Sequence, residues 1–352
     1  MSVAEILASL CPQAGLGSSI IPWHSRGETL RERLAAYPYL MAPMAGVTDA
    51  AYRLVARSGG AALAYSEMVS ATGVHYNSAK TIELAMAHPC EPDLAVQLFG
   101  SNPDHMKEAT ALIANRLQDK LALIDINMAC PVPKVTRRGE GSALMKTPEV
   151  AAKLIQAVKS ETDVSVTVKI RRGFELGEEL AGEFARCMED AGAEAIAVHG
   201  RFAKQMYRGE SDWDTVKRVV EAVSVPVIGS GDILTAQAAR RMLQTTHVAA
   251  VMIARGSYGN PWIFSDAQVA NCSHTPMERL AALELAVRLL DATGAHMARA
   301  RSFVGWYLKG FPGAAQGRNA SMSCVTLDDF LALIDDLRLQ ASQNIESFAS
   351  DE

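Results

Sequence analysis

The chain of 352 residues has room for one domain of about 250 residues and a smaller second one. Hydrophobic residues make up 49% and charged residues 21%, no apolar run reaches the ~18 residues that span a bilayer, and no basic start precedes an apolar stretch at the N-terminus, so neither membrane embedding nor export is expected and the cytoplasm is the expected location. A net charge of −5 argues against binding nucleic acid over the whole surface, and six scattered cysteines (Cys11, Cys90, Cys130, Cys187, Cys272, Cys324) without a CxxC pair or clustered histidines predict free thiols, no disulfide framework and no metal.

In chain order, residues 1–36 contain a Gly/Ser-rich piece, Gly15–Ser19, and read as an extension laid on the main domain. Between 37 and 272, short apolar β-branched runs recur at Tyr39–Ala45, Ala62–Ser66, Leu94–Phe99, Leu123–Asn127, Val164–Ile170, Ala195–His199, Val225–Gly229 and Val248–Ala254. A helical stretch comes after each run, and Ser101-Asn102-Pro103, Thr147-Pro148-Glu149 and Thr235 supply helix-starting signals. Eight such alternations predict a parallel sheet closed into a (β/α)8 TIM barrel. From Pro276 to about Gln340 only helical patterns remain, so residues 273–352 are expected to form an all-helical domain. Its first part is basic, with six Lys/Arg against three acids over Pro276–Ala320, and its tail is acidic, with one against seven over Ser321–Glu352.

Reactive groups of a (β/α)8 barrel sit at the C-terminal strand ends, and here those ends carry Gln97, Asn127, Lys169 with Arg171, and His199 with Arg201. Lys169 lies in a strand otherwise fit for burial, where an unpaired ammonium is costly; it needs either a buried carboxylate or an anionic ligand such as a reduced flavin. His199 alone would read equally well as a satisfied core histidine, were it not beside Gly200-Arg201 at a strand end. The loops after strands seven and eight, Gly229-Ser230-Gly231-Asp232 and Ala254-Arg255-Gly256, carry glycines where barrels hold phosphate with backbone N–H groups. Nothing resembling GxGxxG comes after the first strand, so an FMN-like ligand fits better than a Rossmann dinucleotide. Cys130, just past strand four, is either a small buried thiol or, with an unperturbed pKa of about 8.5, a general acid or nucleophile.

As an ordered set, several segments resemble the bacterial tRNA-dihydrouridine synthases, and more closely their B-type subgroup, from about residue 38 to 340. They are Ala42–Asp49 with Arg53, Ser66-Glu67-Met68, Val96-Gln97-Leu98, Asp125-Ile126-Asn127-Met128 with Cys130-Pro131, Gly141-Ser142-Ala143-Leu144, Val168-Lys169-Ile170-Arg171, His199-Gly200-Arg201, Pro261-Trp262-Ile263-Phe264 and Trp306-Tyr307. The chain departs from the family pattern at Phe202-Ala203, at Arg301-Ser302-Phe303 and at Ser230. The resemblance implies an FMN-bound barrel that takes reducing equivalents from NADPH and reduces the C5=C6 bond of particular uridines in tRNA. Carried over by position, Cys130 is the proton donor; Gln97, Lys169 and His199 contact the flavin ring, with Pro43, Met44 and Ala45 along it; Asn127 contacts flavin or uracil. Gly229, Ser230, Gly231, Asp232, Ala254, Arg255 and Gly256 form the phosphate cradle. Lys134, Arg137, Arg138, Arg171 and Arg201 at the cavity rim, with Arg299 and Arg301 in the helical part, are the expected RNA contacts, and a monomer is expected. A small-molecule FMN-barrel oxidoreductase, a non-catalytic RNA-binding relative and a flavin-free barrel isomerase are the competing readings.

Overall fold

The computed structural model describes residues 1–269 and 273–349, the side chains of 344–349 excepted; Cys272, the expected boundary at 272 and the end of the acidic tail lie outside the described residues. Eight strands form one parallel sheet: β1 (Tyr39–Met41), β2 (Val69–Ser70), β3 (Leu94–Phe99), β4 (Leu121–Met128), β5 (Val166–Arg171), β6 (Ala195–His199), β7 (Val227–Ser230) and β8 (Ala250–Ile253). Their order is β1-β8-β7-β6-β5-β4-β3-β2, with a helix between most successive strands, which is the expected (β/α)8 architecture. The run Ala62–Ser66, expected as the second strand, lies between β1 and β3 and bonds to both through the backbone, Met41 N–H to the Leu63 carbonyl and Ala62 N–H to the Tyr39 carbonyl on one side, Ser66 N–H to the Ala95 carbonyl and Ala95 N–H to the Ala64 carbonyl on the other, with single bridges, Met41 to Ala64 and Tyr65 to Ala95, in place of a regular ladder. The regular ladder resumes at Val69–Ser70. At the irregularity the Ser66 hydroxyl accepts the Gln97 N–H at 3.1 Å and donates to the Glu67 carbonyl at 2.8 Å, taking bonds a ladder partner would make.

The chain divides into two compact units, Ile21–Thr48 with Ala61–Gly256, and Met1–Ile20 with Asp49–Gly60 and Ser257–Glu352. In the first, period-two alternation turns every second strand residue inward. The inward set is apolar at the strand starts (Ala95, Leu123, Ala195, Ile228) and polar at the strand ends. Leu123 is followed inward by Asp125 and Asn127, and Ala95 by Gln97. Trp23, Leu30 and Leu34 are buried with this apolar layer, so residues 21–36 of the expected extension belong to the barrel. Asn102 caps the helix Pro103–Leu117 through Asp104 N–H at 2.8 Å, and Thr235 caps Ala236–Thr246 through Ala238 N–H at 3.1 Å. Thr147 makes no side-chain cap on Pro148–Lys159.

The second unit is helical. Its centre, Pro276–Ala292, buries residues on nearly every side, as a helix apolar all round must. The N-terminal helix Val3–Gln13 packs on it with Val3, Ile6, Leu7 and Leu10 buried. Residues 1–20 belong to this helical unit. Leu327–Ala349 packs on it too, clamped where Glu284, 7% exposed, accepts from Arg288 and Arg338 at 2.6 Å each. Among the described residues no helix is long and apolar enough to cross a membrane.

Candidate active site

Polar side chains at the ends of β3 to β5 form one bonded chain. The Asp125 carboxylate accepts from Gln97 Nε2 at 2.6 Å and from Thr167 Oγ1 at 2.7 Å. Gln97 Oε1 accepts from Asn127 Nδ2 at 2.7 Å, and Asn127 Oδ1 accepts the backbone N–H groups of Ala129 at 3.1 Å and Cys130 at 2.8 Å. Register sets these neighbours side by side, with Gln97 opposite Asp125, Asp125 opposite Thr167 and Asn127 opposite Lys169. Sequence reasoning misses Asp125 and Thr167 as site residues, though each lies two residues before a candidate, Asn127 and Lys169, and so faces the same way.

Beyond this chain the site is cationic. Lys169 is half-buried; burial and the nearby Arg171 lower its pKa to about 8, against the opposing charge of Asp125. His199 is held well below its ordinary value by burial and by Lys169, Arg171, Arg201 and Arg255 around it, so it is neutral at pH 7. The Gly231–Asp232 turn closes this wall. Gly231 has φ +114, and a Cβ there would stand 2.2 Å from Ser211 Oγ and 2.5 Å from His199 Cδ2. Its carbonyl accepts from Trp213 Nε1 at 3.0 Å. Asp232, also at positive φ (+57), accepts from Arg201 at 2.7 Å, Ser211 N–H at 2.8 Å and Arg255 at 3.3 Å. Ser230 pairs in register with His199; Gly229 has no room for a side chain against Met242 Sδ, 2.4 Å from a built Cβ. Ala254, Arg255 and Gly256 come after β8, with Arg255 exposed and Gly256 buried. Pro43 and Met44 are half-buried and Ala45 exposed in the turn after β1, stapled where the Met44 carbonyl accepts Thr48 N–H at 3.1 Å.

Cys130 is 8% exposed. Burial raises its thiol pKa, with a backbone hydrogen bond and the Arg171 charge opposing, so the thiol is protonated at neutral pH. Its carbonyl is held by Ser142, through N–H at 3.0 Å and Oγ at 2.9 Å. Of the expected rim cations, Lys134, Arg137 and Arg138 are exposed in the loop after β4. Arg171 and Arg201 are not rim groups: both are 2% exposed. Arg171 donates to the carbonyls of Ala129, Phe202 and Met206 at 2.8, 3.1 and 2.9 Å, bracing the β4 and β6 loops. Arg201 donates to Arg208 and Gly209 carbonyls as well as Asp232. Arg299 and Arg301 belong to the helical unit, where Arg299 pairs with Asp49 at 3.0 Å and Arg301 donates to the Cys324 carbonyl at 3.0 Å. Among the described residues no cluster of His, Cys, Asp and Glu could hold a metal ion, and the five described cysteines are free.

Comparison with known proteins places these features in a family. Residues 40–346 match the family described as Dihydrouridine synthase (Dus). The tRNA-dihydrouridine synthase B of Shewanella oneidensis is 39% identical over 279 residues, 76% of this chain and 85% of the relative. That of Pseudomonas syringae pv. tomato is 38% identical over 293 residues, 79% of this chain and 85% of the relative. The chain belongs to the dihydrouridine synthase family of oxidoreductases.

Proposed function

We propose that this enzyme reduces the C5=C6 bond of particular uridines in tRNA to 5,6-dihydrouridine, with FMN as cofactor and NADPH as reductant. The observation that carries this is a buried Cys130 whose backbone N–H is held by Asn127, itself bonded to Gln97 and opposite Lys169 in the sheet, at the C-terminal ends of the strands. The residues fit FMN. The glycine turn at Gly231, with Ser230 ahead of it and Arg255 and Gly256 on the adjacent loop, suits a phosphate, and Lys169 with neutral His199 suits an electron-rich ring. When bound, FMN would supply the hydride that adds at C6, its electrons coming from NADPH. Lys169 supplies a cation that becomes more useful as negative charge develops, and Gln97 and Asn127 present fixed amide groups. Cys130 gives its proton to C5, leaving a thiolate that regains a proton from solvent; hydride plus proton completes the two-electron reduction. General acid help of this kind contributes roughly 10²–10⁴-fold.

A base inside folded RNA must be drawn out to reach this site, with backbone contacts holding the rest. Lys134, Arg137 and Arg138 are exposed for that role, and the basic first part of the helical unit offers Arg299 and Arg301. Arg171 and Arg201 would contribute through the loops they brace and through their charge. The test is unmodified tRNA incubated with the protein, FMN and NADPH, and dihydrouridine mapped position by position by mass spectrometry. Product at defined positions is expected; none, from protein that holds flavin and oxidises NADPH, would replace this reading with a small-molecule flavin reductase.

A further inference from the structure

Asp125 takes no part in the reaction as written, yet it anchors the hydrogen-bond chain that ends at Cys130. It is 1% exposed. Its two oxygens accept from Gln97 at 2.6 Å and Thr167 at 2.7 Å. A side-chain amide can face either way, and its hydrogen-bond partners decide which. Here the choice is forced. Because the Asp125 oxygen facing Gln97 accepts, Gln97 must turn its NH2 downward and its Oε1 toward Asn127. Asn127 must then donate from Nδ2, at 2.7 Å, which turns Oδ1 onto the N–H of Cys130 at 2.8 Å. A flipped Asn127 would set NH2 against two N–H groups.

We propose that Asp125 is a positioning residue: through Gln97 and Asn127 it fixes the polarity of this chain, and so holds the Asn127–Cys130 turn and aims the Cys130 thiol. The inference rests on the proposed reaction only where turnover is read. Its other readout, the rate at which iodoacetamide alkylates Cys130 in the full-length protein, needs no substrate.

The chain can be run backwards. Asn127→Asp alone sets an acceptor against Gln97 Oε1, so Gln97 cannot satisfy both neighbours, and the turn loosens. Adding Asp125→Asn lets Gln97 flip: its NH2 donates to the new carboxylate, its Oε1 accepts from the new amide, and the second carboxylate oxygen still takes the Cys130 N–H. N127D is expected to slow dihydrouridine formation about 100-fold, the scale of a roughly 1 Å misplacement, and to speed alkylation. The double variant should recover about tenfold in both. D125N alone can keep the native polarity, its carbonyl toward Gln97 and its NH2 toward Thr167 Oγ1, and should stay within a few-fold of the parent on the alkylation readout; D125A should resemble N127D. A double variant as impaired as N127D, or a D125A protein alkylated at the parent rate, overturns the proposal. Should the parent make no dihydrouridine while the alkylation pattern holds, the reaction assignment fails and the positioning role stands.

Discussion

Gly231→Ala isolates what the Gly231–Asp232 turn requires. Two penalties act at once. The φ of +114 is a conformation L side chains rarely adopt, and a Cβ would sit 2.2 Å from Ser211 Oγ and 2.5 Å from His199 Cδ2. Positive φ alone costs about 1 kcal/mol, and Gly177, with φ +85 and nothing within 4 Å of a built Cβ, measures that term by itself in the same unit. Relieving the clash adds about 1–3 kcal/mol, because His199 and the turn must shift and Asp232 then loses geometry to Arg201 and Ser211. The total of about 2–4 kcal/mol corresponds to roughly 4–16 °C in Tm at 2–4 °C per kcal/mol, against about 2–4 °C for Gly177→Ala. Thermal unfolding with and without FMN, and flavin absorbance after gel filtration, read both effects: Gly231→Ala should lose most of the stabilisation by FMN, Gly177→Ala none. Equal Tm values and equal flavin retention in the two variants would refute the close-approach argument.

The same geometry sets three further outcomes. Cys130→Ala should keep flavin and lower dihydrouridine formation by roughly 10²–10⁴-fold; near-parent turnover by mass spectrometry rejects the acid role. Lys169 has its native pKa depressed to about 8 from 10.5, so the folded state binds fewer protons than the unfolded chain between those values. Its penalty is therefore full below about pH 8 and fades toward 10.5. Lys169→Met should raise Tm at pH 7 while weakening FMN retention, with the Tm gain shrinking above pH 8; a gain unchanged at pH 10 contradicts this. For Glu284, burial would raise the carboxyl, but Arg288 and Arg338 outweigh it and hold it below its ordinary 4.5. That stabilisation is present above pH 4.5 and is lost as pH falls through the lower native value. Glu284→Ala should cost about 2 kcal/mol at pH 7, discounted because both arginines are partly exposed, and the difference in urea midpoint should shrink as pH falls below 4.5 through the lower native value.

Alternation made the barrel legible. Leu123, Asp125 and Asn127 face one way along β4, and the same period marks Thr167 with Lys169 and Ala95 with Gln97. What a strand end cannot tell from sequence is where a long side chain turns. Arg171 and Arg201 read as rim cations because charged residues at barrel mouths usually meet solvent, yet both fold back onto loop carbonyls. Their partners are up to 42 residues away in the chain for Arg171, a distance no spacing rule reaches. The irregularity ahead of β2 coincides with one buried hydroxyl, that of Ser66, which accepts the Gln97 N–H in place of a backbone carbonyl. The N-terminal helix carried an apolar face at helical spacing, but its partner, Pro276–Ala292, lies at the far end of the sequence.

The burial of Arg171 has consequences beyond bracing loops. Its hydrogen bonds go to neutral carbonyls, so among the described residues its positive charge is solvated by dipoles and not cancelled by a carboxylate. That field reaches three neighbours: it helps keep His199 neutral, helps pull Lys169 to about 8, and partly offsets the rise that burial imposes on Cys130. The last effect matters in the proposed reaction. Burial keeps the Cys130 proton on at rest, while the uncancelled guanidinium stabilises the thiolate left once that proton moves to C5. A carboxylate paired to Arg171 would brace the loops as well but would remove this second contribution. In the proposed reaction the neutral partners of Arg171 would therefore be part of the chemistry, and the whole-chain charge of −5 conceals a cluster of cations, half-buried Lys169 with buried Arg171 and Arg201, at the strand ends.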